Sequence, residues 1–286
     1  LGALNPANPA TYTAQLFAGA PDFAYAILPA QPYGTAVLQD AAARGIETLF
    51  HQPMQYVGQS DTPTDPLRLY VSLTDAQILS VLRANLNAVA PYTIGVNNHQ
   101  GSRFSQYARG MSVVAGELRA RSHFYLDSRT ISDSVGYDEA KRAGILAAER
   151  DLFVDGNTTA ETVAYVMALG ERALYAPNYP AIGIGHQRAN TVPGLLQALN
   201  DLQASGVAVR RLSRAVSSII EVGAVPADGE IRVTGAWTTT TDMIARECDD
   251  GDALASAQSG ARVEFAPNLP RAGWYRVFVG SAADPA

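Results

Sequence analysis

Three of the four histidines in this sequence stand where chemistry is usually done. His51, His99 and His186 each fall at or just past the carboxyl end of a segment that reads as a strand, whereas His123 opens one. Imidazole is the usual neutral nitrogen ligand for zinc and the usual general acid or base near neutral pH. Three on one edge of a sheet point to at least one with a functional role, while His123 reads as a hydrogen-bonded structural residue.

The surroundings sharpen this. Gly95-Val96-Asn97-Asn98-His99-Gln100-Gly101-Ser102-Arg103-Phe104 places two amides, an imidazole and a guanidinium between glycines, whose backbone freedom allows close approach of a ligand. Asn98 and Arg103 are therefore substrate-binding candidates. Leu126-Asp127-Ser128-Arg129-Thr130 ends another strand with a carboxylate, a hydroxyl and a guanidinium. Asp127 beside Arg129 has the makings of an ionised, oriented catalytic pair, with Ser128 as a further substrate contact; a structural salt bridge is the competing reading. Gly183-Ile184-Gly185-His186 exposes its histidine between small neighbours, making His186 a catalytic candidate.

Other chemistries are absent from the sequence. There is no G-x-S-x-G elbow and no G-x-x-x-x-G-K-[ST] loop, and Arg188 stands where a dinucleotide-binding loop after Gly183 and Gly185 requires glycine. With 21 Lys and Arg against 27 Asp and Glu, the net charge is −6, which argues against a nucleic-acid partner. Cys248 is the one cysteine, so an internal disulfide and a cysteine-based zinc cluster are excluded. No apolar run is long enough to span a membrane. A chain that opens on Leu1 rather than Met reads as a fragment or a processed form.

The elements that must position these residues alternate. Strand-like runs at 23–28, 46–51, 92–97, 123–127, 152–155, 181–186 and 207–209 are separated by helical patterns at 34–44, 75–89, 106–121, 137–148, 159–174 and 191–204, with a Pro-rich loop from 53 to about 72. This is the pattern of a parallel sheet built from βαβ units, either an open doubly wound sheet or a barrel, with the site at the carboxyl ends of the strands. From residue 228 the pattern changes to alternating segments at 231–237, 261–265 and 274–279, which read as a separate all-β module after a linker at 213–227.

The ordered set HQPM at 51–54, GVNNHQGSRF at 95–104, FYLDSRT at 124–130, RDLFVD at 150–155 and IGIGHQR at 182–188 resembles the divergent polysaccharide deacetylase family over residues 1–212. The resemblance implies an α/β fold, an irregular (β/α) barrel lacking its first strand, and a metal-dependent N-deacetylase acting on a polysaccharide or peptidoglycan-like glycan in the bacterial periplasm or outside the cell. It implies a divalent metal cofactor, zinc foremost, with His51 and His99 as metal ligands. His186 would protonate the leaving amine, and Asp127 and Arg129 would orient the base or bind the sugar. An aspartate pair of the family would precede Leu1-Gly2. Gln55 stands where better-known deacetylases place a second histidine, which motivates the alternative of a glycan-binding or envelope scaffolding protein without turnover. Tyr56 and Tyr70 are candidates to line the sugar cleft. Residues 228–286 resemble part of a golvesin or xanthan-lyase C-terminal β-sandwich, in which Trp237, Trp274 and Tyr275 would stack on sugars or fill the core.

Overall fold

A computed structural model describes residues 10–20, 22–175 and 180–216, together with four short strands beyond residue 230. The chain falls into two compact units, Leu1–Ser218 and Ile219–Ala286.

The first unit is built on a parallel sheet in the order β1-β2-β3-β4-β5: Tyr25–Ile27, Thr48–Met54, Gly95–Gln100, Phe124–Asp127 and Ala147–Glu149. A second parallel pair follows, β6 (Leu152–Phe153) with β7 (Gly183–Ile184). Helices α1 (Tyr12–Gly19), α2 (Gly34–Ala43), α3 (Asp75–Val89), α4 (Ala108–Ala120), α5 (Gly136–Arg142), α6 (Thr159–Tyr175), α7 (Thr191–Ala204) and α8 (Leu212–Ala215) complete the unit. A strand order that never reverses is the progression of a barrel wall, not of a doubly wound sheet. The unit is thus an α/β fold consistent with a deacetylase-like barrel.

The two faces of the sheet follow from the period-two alternation of strand side chains. Phe50, Met54, Val96, Tyr125 and Ala147 join Ile78, Leu82, Met111 and Leu118 of α3 and α4 in the main core. The opposite face carries a smaller apolar cluster of Leu49, Phe124, Leu126, Ala148, Ile182 and Val216. α3 starts cleanly because Thr74 and Gln77 form a capping box, each bonding the other's backbone end.

Several boundaries differ from the sequence expectation. β2 runs past His51 to Met54, so His51 sits within the strand rather than at its end. The stretch 137–148 is not one helix: Gly144, at φ +69°, stops α5, and the chain re-enters the sheet as β5. Residues 207–209 form no strand; Val207 and Val209 instead pack on the cluster of Val154, Val166, Ala198 and Leu202. The helix at Tyr12–Gly19 carries no clear signal in the sequence.

In the second unit, β8 (Ile231–Thr234) pairs antiparallel with β11 (Arg262–Phe265), and β9 (Thr238–Thr240) with β10 (Ala253–Ala255). Trp237, Trp274, Tyr275 and the expected strand 274–279 lie outside the described residues.

Candidate functional site

The register of β2 on β3 brings two of the histidines together. His51 is the cross-strand partner of Asn97, and Gln52 of Asn98. His99, two residues beyond Asn97, faces the same side as His51. The result is a chain of contacts: Asn97 Nδ2 donates to Ser128 Oγ at 3.3 Å, which turns its Oδ1 toward His51 Nδ1 at 2.9 Å. His51 therefore carries its proton on Nδ1 and presents a bare Nε2, to which His99 Nδ1–H donates at 3.2 Å. The two rings meet edge to face at 4.8 Å. Burial, with the neighbouring His99 and His186, pushes the His51 pKa down to about 3, so the ring is neutral at neutral pH. His99 is lowered for similar reasons: burial first, then the charges of Arg68 and His186.

His186 lies two residues past β7. Its Nδ1 donates to Asp155 Oδ2 at 2.6 Å, its backbone N–H to Asp155 Oδ1 at 2.9 Å, and Thr191 Oγ1, opening α7, donates to the same oxygen at 2.7 Å. Burial alone would raise the Asp155 pKa; these bonds outweigh it and hold the carboxyl below the usual carboxylate range. With Nδ1 committed to a carboxylate, Nε2 is the atom of His186 left to exchange a proton. The ring is also stacked on Phe153 at 6.4 Å, and Phe153 in turn lies under Arg150, whose Cζ is 3.9 Å from its centroid. Gly185 permits this approach, because a Cβ there would sit 2.9 Å from Val154.

The remaining candidates are not brought to the histidines as free groups. Asp127 is fully buried; Oδ1 accepts from Arg129 N at 2.8 Å, and Oδ2 from Ser134 Oγ at 2.6 Å and Tyr137 N at 3.1 Å. Its carboxylate organises the turn after β4. Arg129 pairs with Glu149 at 2.8 Å and donates to Ser132 O. Asn98 is fully buried: Oδ1 accepts from Tyr125 OH and Ser128 N, and Nδ2 donates to Gln100 O. Ser128 Oγ donates to Asn98 O. Asn98 and Ser128 thus tie β3 to β4. Arg103 pairs with Asp61 at 3.0 Å on the loop rim. Gln55 is fully buried too: Nε2 donates to Gln59 O, Ser60 O and Asp61 Oδ1, and Oε1 accepts from Val71 N. Tyr70 is buried, its hydroxyl accepting from Asp65 N, whereas Tyr56 is exposed. His123 Nδ1 faces Arg121 O, a local structural contact.

Asp155 is the functional candidate the sequence reading passed over. Its signal was present: it closes the strand-like run Leu152–Asp155 just as Asp127 closes its own.

His51 and His99 supply two neutral imidazole nitrogens of the kind a zinc ion takes, and the Asn97 contact at Nδ1 is the outer bond that commonly orients such a ligand. Among the described residues no group of three His, Cys, Asp or Glu side chains converges as a metal site. The residues present thus fit part of a coordination sphere.

The architecture, a parallel sheet with imidazoles toward the carboxyl ends of its strands, is that of an α/β protein with its site on one rim. Residues 8–216 match the family model described as divergent polysaccharide deacetylase, and the chain belongs to that family. It is 34% identical over 191 residues to an uncharacterized protein of Haemophilus influenzae, covering 66% of each chain. It is 30% identical over 179 residues to the uncharacterized protein YibQ of Escherichia coli, covering 62% of this chain and 54% of that one. The chain thus spans 66% and 54% of these relatives' lengths. The crystal structure of an uncharacterized protein from Agrobacterium tumefaciens C58 is similar in fold, with a TM-score of 0.65 at 20% identity, covering 72% of this chain and 83% of that one. The family match ends at residue 216 and does not carry the golvesin-like resemblance of 228–286. Among the described residues no helix is long and apolar enough to cross a membrane.

Proposed function

We propose that this chain is a hydrolase that removes acetyl groups from an N-acetylated cell-wall or extracellular glycan, with a divalent metal, zinc foremost, as cofactor. The observation that carries the reading is the His51–His99 contact at 3.2 Å, with a carboxylate-oriented His186 close enough for its charge to act on both. Family membership supports a glycan as substrate, and such a substrate favours a periplasmic or extracellular setting.

In the reaction a water adds to the acetamido carbonyl carbon, the C–N bond breaks, and acetate and a free amine leave. His51 and His99 would hold the cation, His51 through the Nε2 that now accepts from His99 Nδ1–H, so the cation would replace that hydrogen bond. When bound, a divalent cation supplies carbonyl polarisation and a water of lowered pKa. His186 would give the sugar nitrogen its proton from Nε2, with Asp155 fixing the ring.

The test is product analysis. Zinc-supplied protein acting on N-acetylated chitooligosaccharide or peptidoglycan fragments should release acetate and free amine in equal amounts, and His186→Ala should slow this by on the order of a hundredfold. Release of neither product from any N-acetylated glycan would sink the hydrolase reading. A second reading, a glycan binder without turnover, is favoured by one observation: Gln55, a poor zinc ligand, is engaged entirely in its own loop.

A further inference from the structure

His186 does not stand on the sheet that carries His51 and His99. It follows β7, which pairs with β6, and among the described residues no ladder joins that pair to the five-stranded sheet. The seam between them is closed by the apolar cluster that includes Leu126, Ala148 and Ile182, and by Arg150, in the short link from β5 to β6.

On one side Arg150 is tied to the end of β4. Its backbone N–H donates to Asp127 O at 2.9 Å, Nε to Ser128 O at 2.8 Å and Nη2 to Arg129 O at 2.6 Å. Arg129 stands at φ +43°, a left-handed backbone that costs energy in a residue other than glycine, and the bond to its carbonyl helps hold it there. On the other side the guanidinium lies over the Phe153 ring, Cζ 3.9 Å from the centroid, and Phe153 is in turn stacked on His186 at 6.4 Å with 20° between the planes. Burial first, then Arg129, lower the Arg150 pKa from the usual arginine range, against the pull of Asp127, Asp151 and Glu149. A cation is thus kept where an apolar side chain would fill the seam at less cost.

Asp155 leaves one freedom of His186 open. A hydrogen bond at Nδ1 sets the tautomer and fixes one point of the ring, but the plane can still tilt about that bond, and 49% of the side chain is exposed. The aromatic neighbour on the ring face opposes the tilt, because stacked rings favour near-parallel planes. The tilt decides where Nε2 points, and Nε2 is the atom that exchanges the proton.

We infer that Arg150 is a positioning residue for His186: anchored on the turn after β4, it seats Phe153, and Phe153 sets the plane of the imidazole. Arg150 thereby carries position across the seam, from the sheet of His51 and His99 to the proton donor. The inference rests on the reading of His186 as that donor and adds the part that aims it.

Carbon relaxation of the His186 ring, in the metal-free 286-residue protein without substrate, tests it. The signal is the one of the four histidine ring signals that His186→Ala removes. The ring should be as ordered as rigid backbone, with an order parameter of about 0.85, and should fall below about 0.6 in both Phe153→Leu and Arg150→Met. Leu82→Ala, in the main core, should lower the urea midpoint without moving it, which separates positioning from loss of stability. Phe153→Leu leaves the bonds of Arg150 to Ser128 and Arg129 in place, so it decides the matter if Arg150→Met does not fold. A His186 ring that stays ordered in either variant, folded, would overturn the inference. Where acetate is released, Arg150→Met should lower kcat by about tenfold with KM unchanged, and an unaltered kcat would count against the inference equally. Because ring order is read without turnover, loss of order in a protein that releases no acetate would sink the hydrolase reading alone.

Discussion

His186 and Asp155, 31 residues apart in sequence, are joined through Nδ1 and Oδ2 at 2.6 Å, and Asp155 also accepts from the His186 backbone N–H. The carboxylate thereby fixes both the ring and the segment that carries it. Asp155→Asn keeps the shape but lets Nδ1 adopt the wrong tautomer, so acetate release should fall by roughly tenfold to a hundredfold, no more than with His186→Ala. Thr191→Val, which removes one of the bonds to Asp155, should cost less. Steady-state kinetics on an N-acetylated oligosaccharide checks both.

Asn98 and Ser128 make a buried polar bridge between β3 and β4. Asn98→Ala leaves Tyr125 OH and Ser128 N without their acceptor, so it should destabilise the fold by about 2–4 kcal/mol. Urea unfolding measures this. A loss of sugar binding with unchanged stability would restore Asn98 as a ligand contact.

Gln55 behaves as the hub of the loop from 55 to 71. Gln55→His should therefore not raise metal affinity and should loosen the loop, read as faster amide exchange or proteolysis between residues 56 and 70.

The depressed pKa of His51 gives a pH signature of metal-free protein. Between 6.5, its unperturbed value, and about 3, the unfolded chain binds a proton that the folded chain does not. Stability is therefore unaffected above that window and falls as the pH drops through it. At pH 5 the loss should be about 1–2 kcal/mol, with the ring's partial exposure keeping it toward the lower figure. Urea midpoints in chelator at pH 7.5 and 5 should move apart in the unaltered protein and less in His51→Gln.

Much of this was legible beforehand, and the misses have physical causes. The β/α alternation and the three rim histidines were plain, because buried parallel strands and amphipathic helices leave strong periodic signals. β5 was hidden because Ala147-Ala148-Glu149 has helix-forming composition, and only Gly144 marks the break. The run Asn97-Asn98-His99 gave no hint of which amide served the site. Alternation along the strand sends Asn97 toward His51 and Asn98 into the β3–β4 bridge, and only register decides between them. Asp127 and Asp155 look alike in sequence, each closing a strand-like run. Tertiary contacts give one to a turn and the other to a histidine.

The most direct test of the account is metal stoichiometry. The protein, purified without chelator and supplied with zinc, should carry about one divalent ion per chain by elemental mass spectrometry, with His51 and His99 as two of its ligands. His51→Ala and His99→Ala should each lose it while remaining folded. A folded, unaltered protein that takes up no metal even with zinc in excess would contradict the metallohydrolase account.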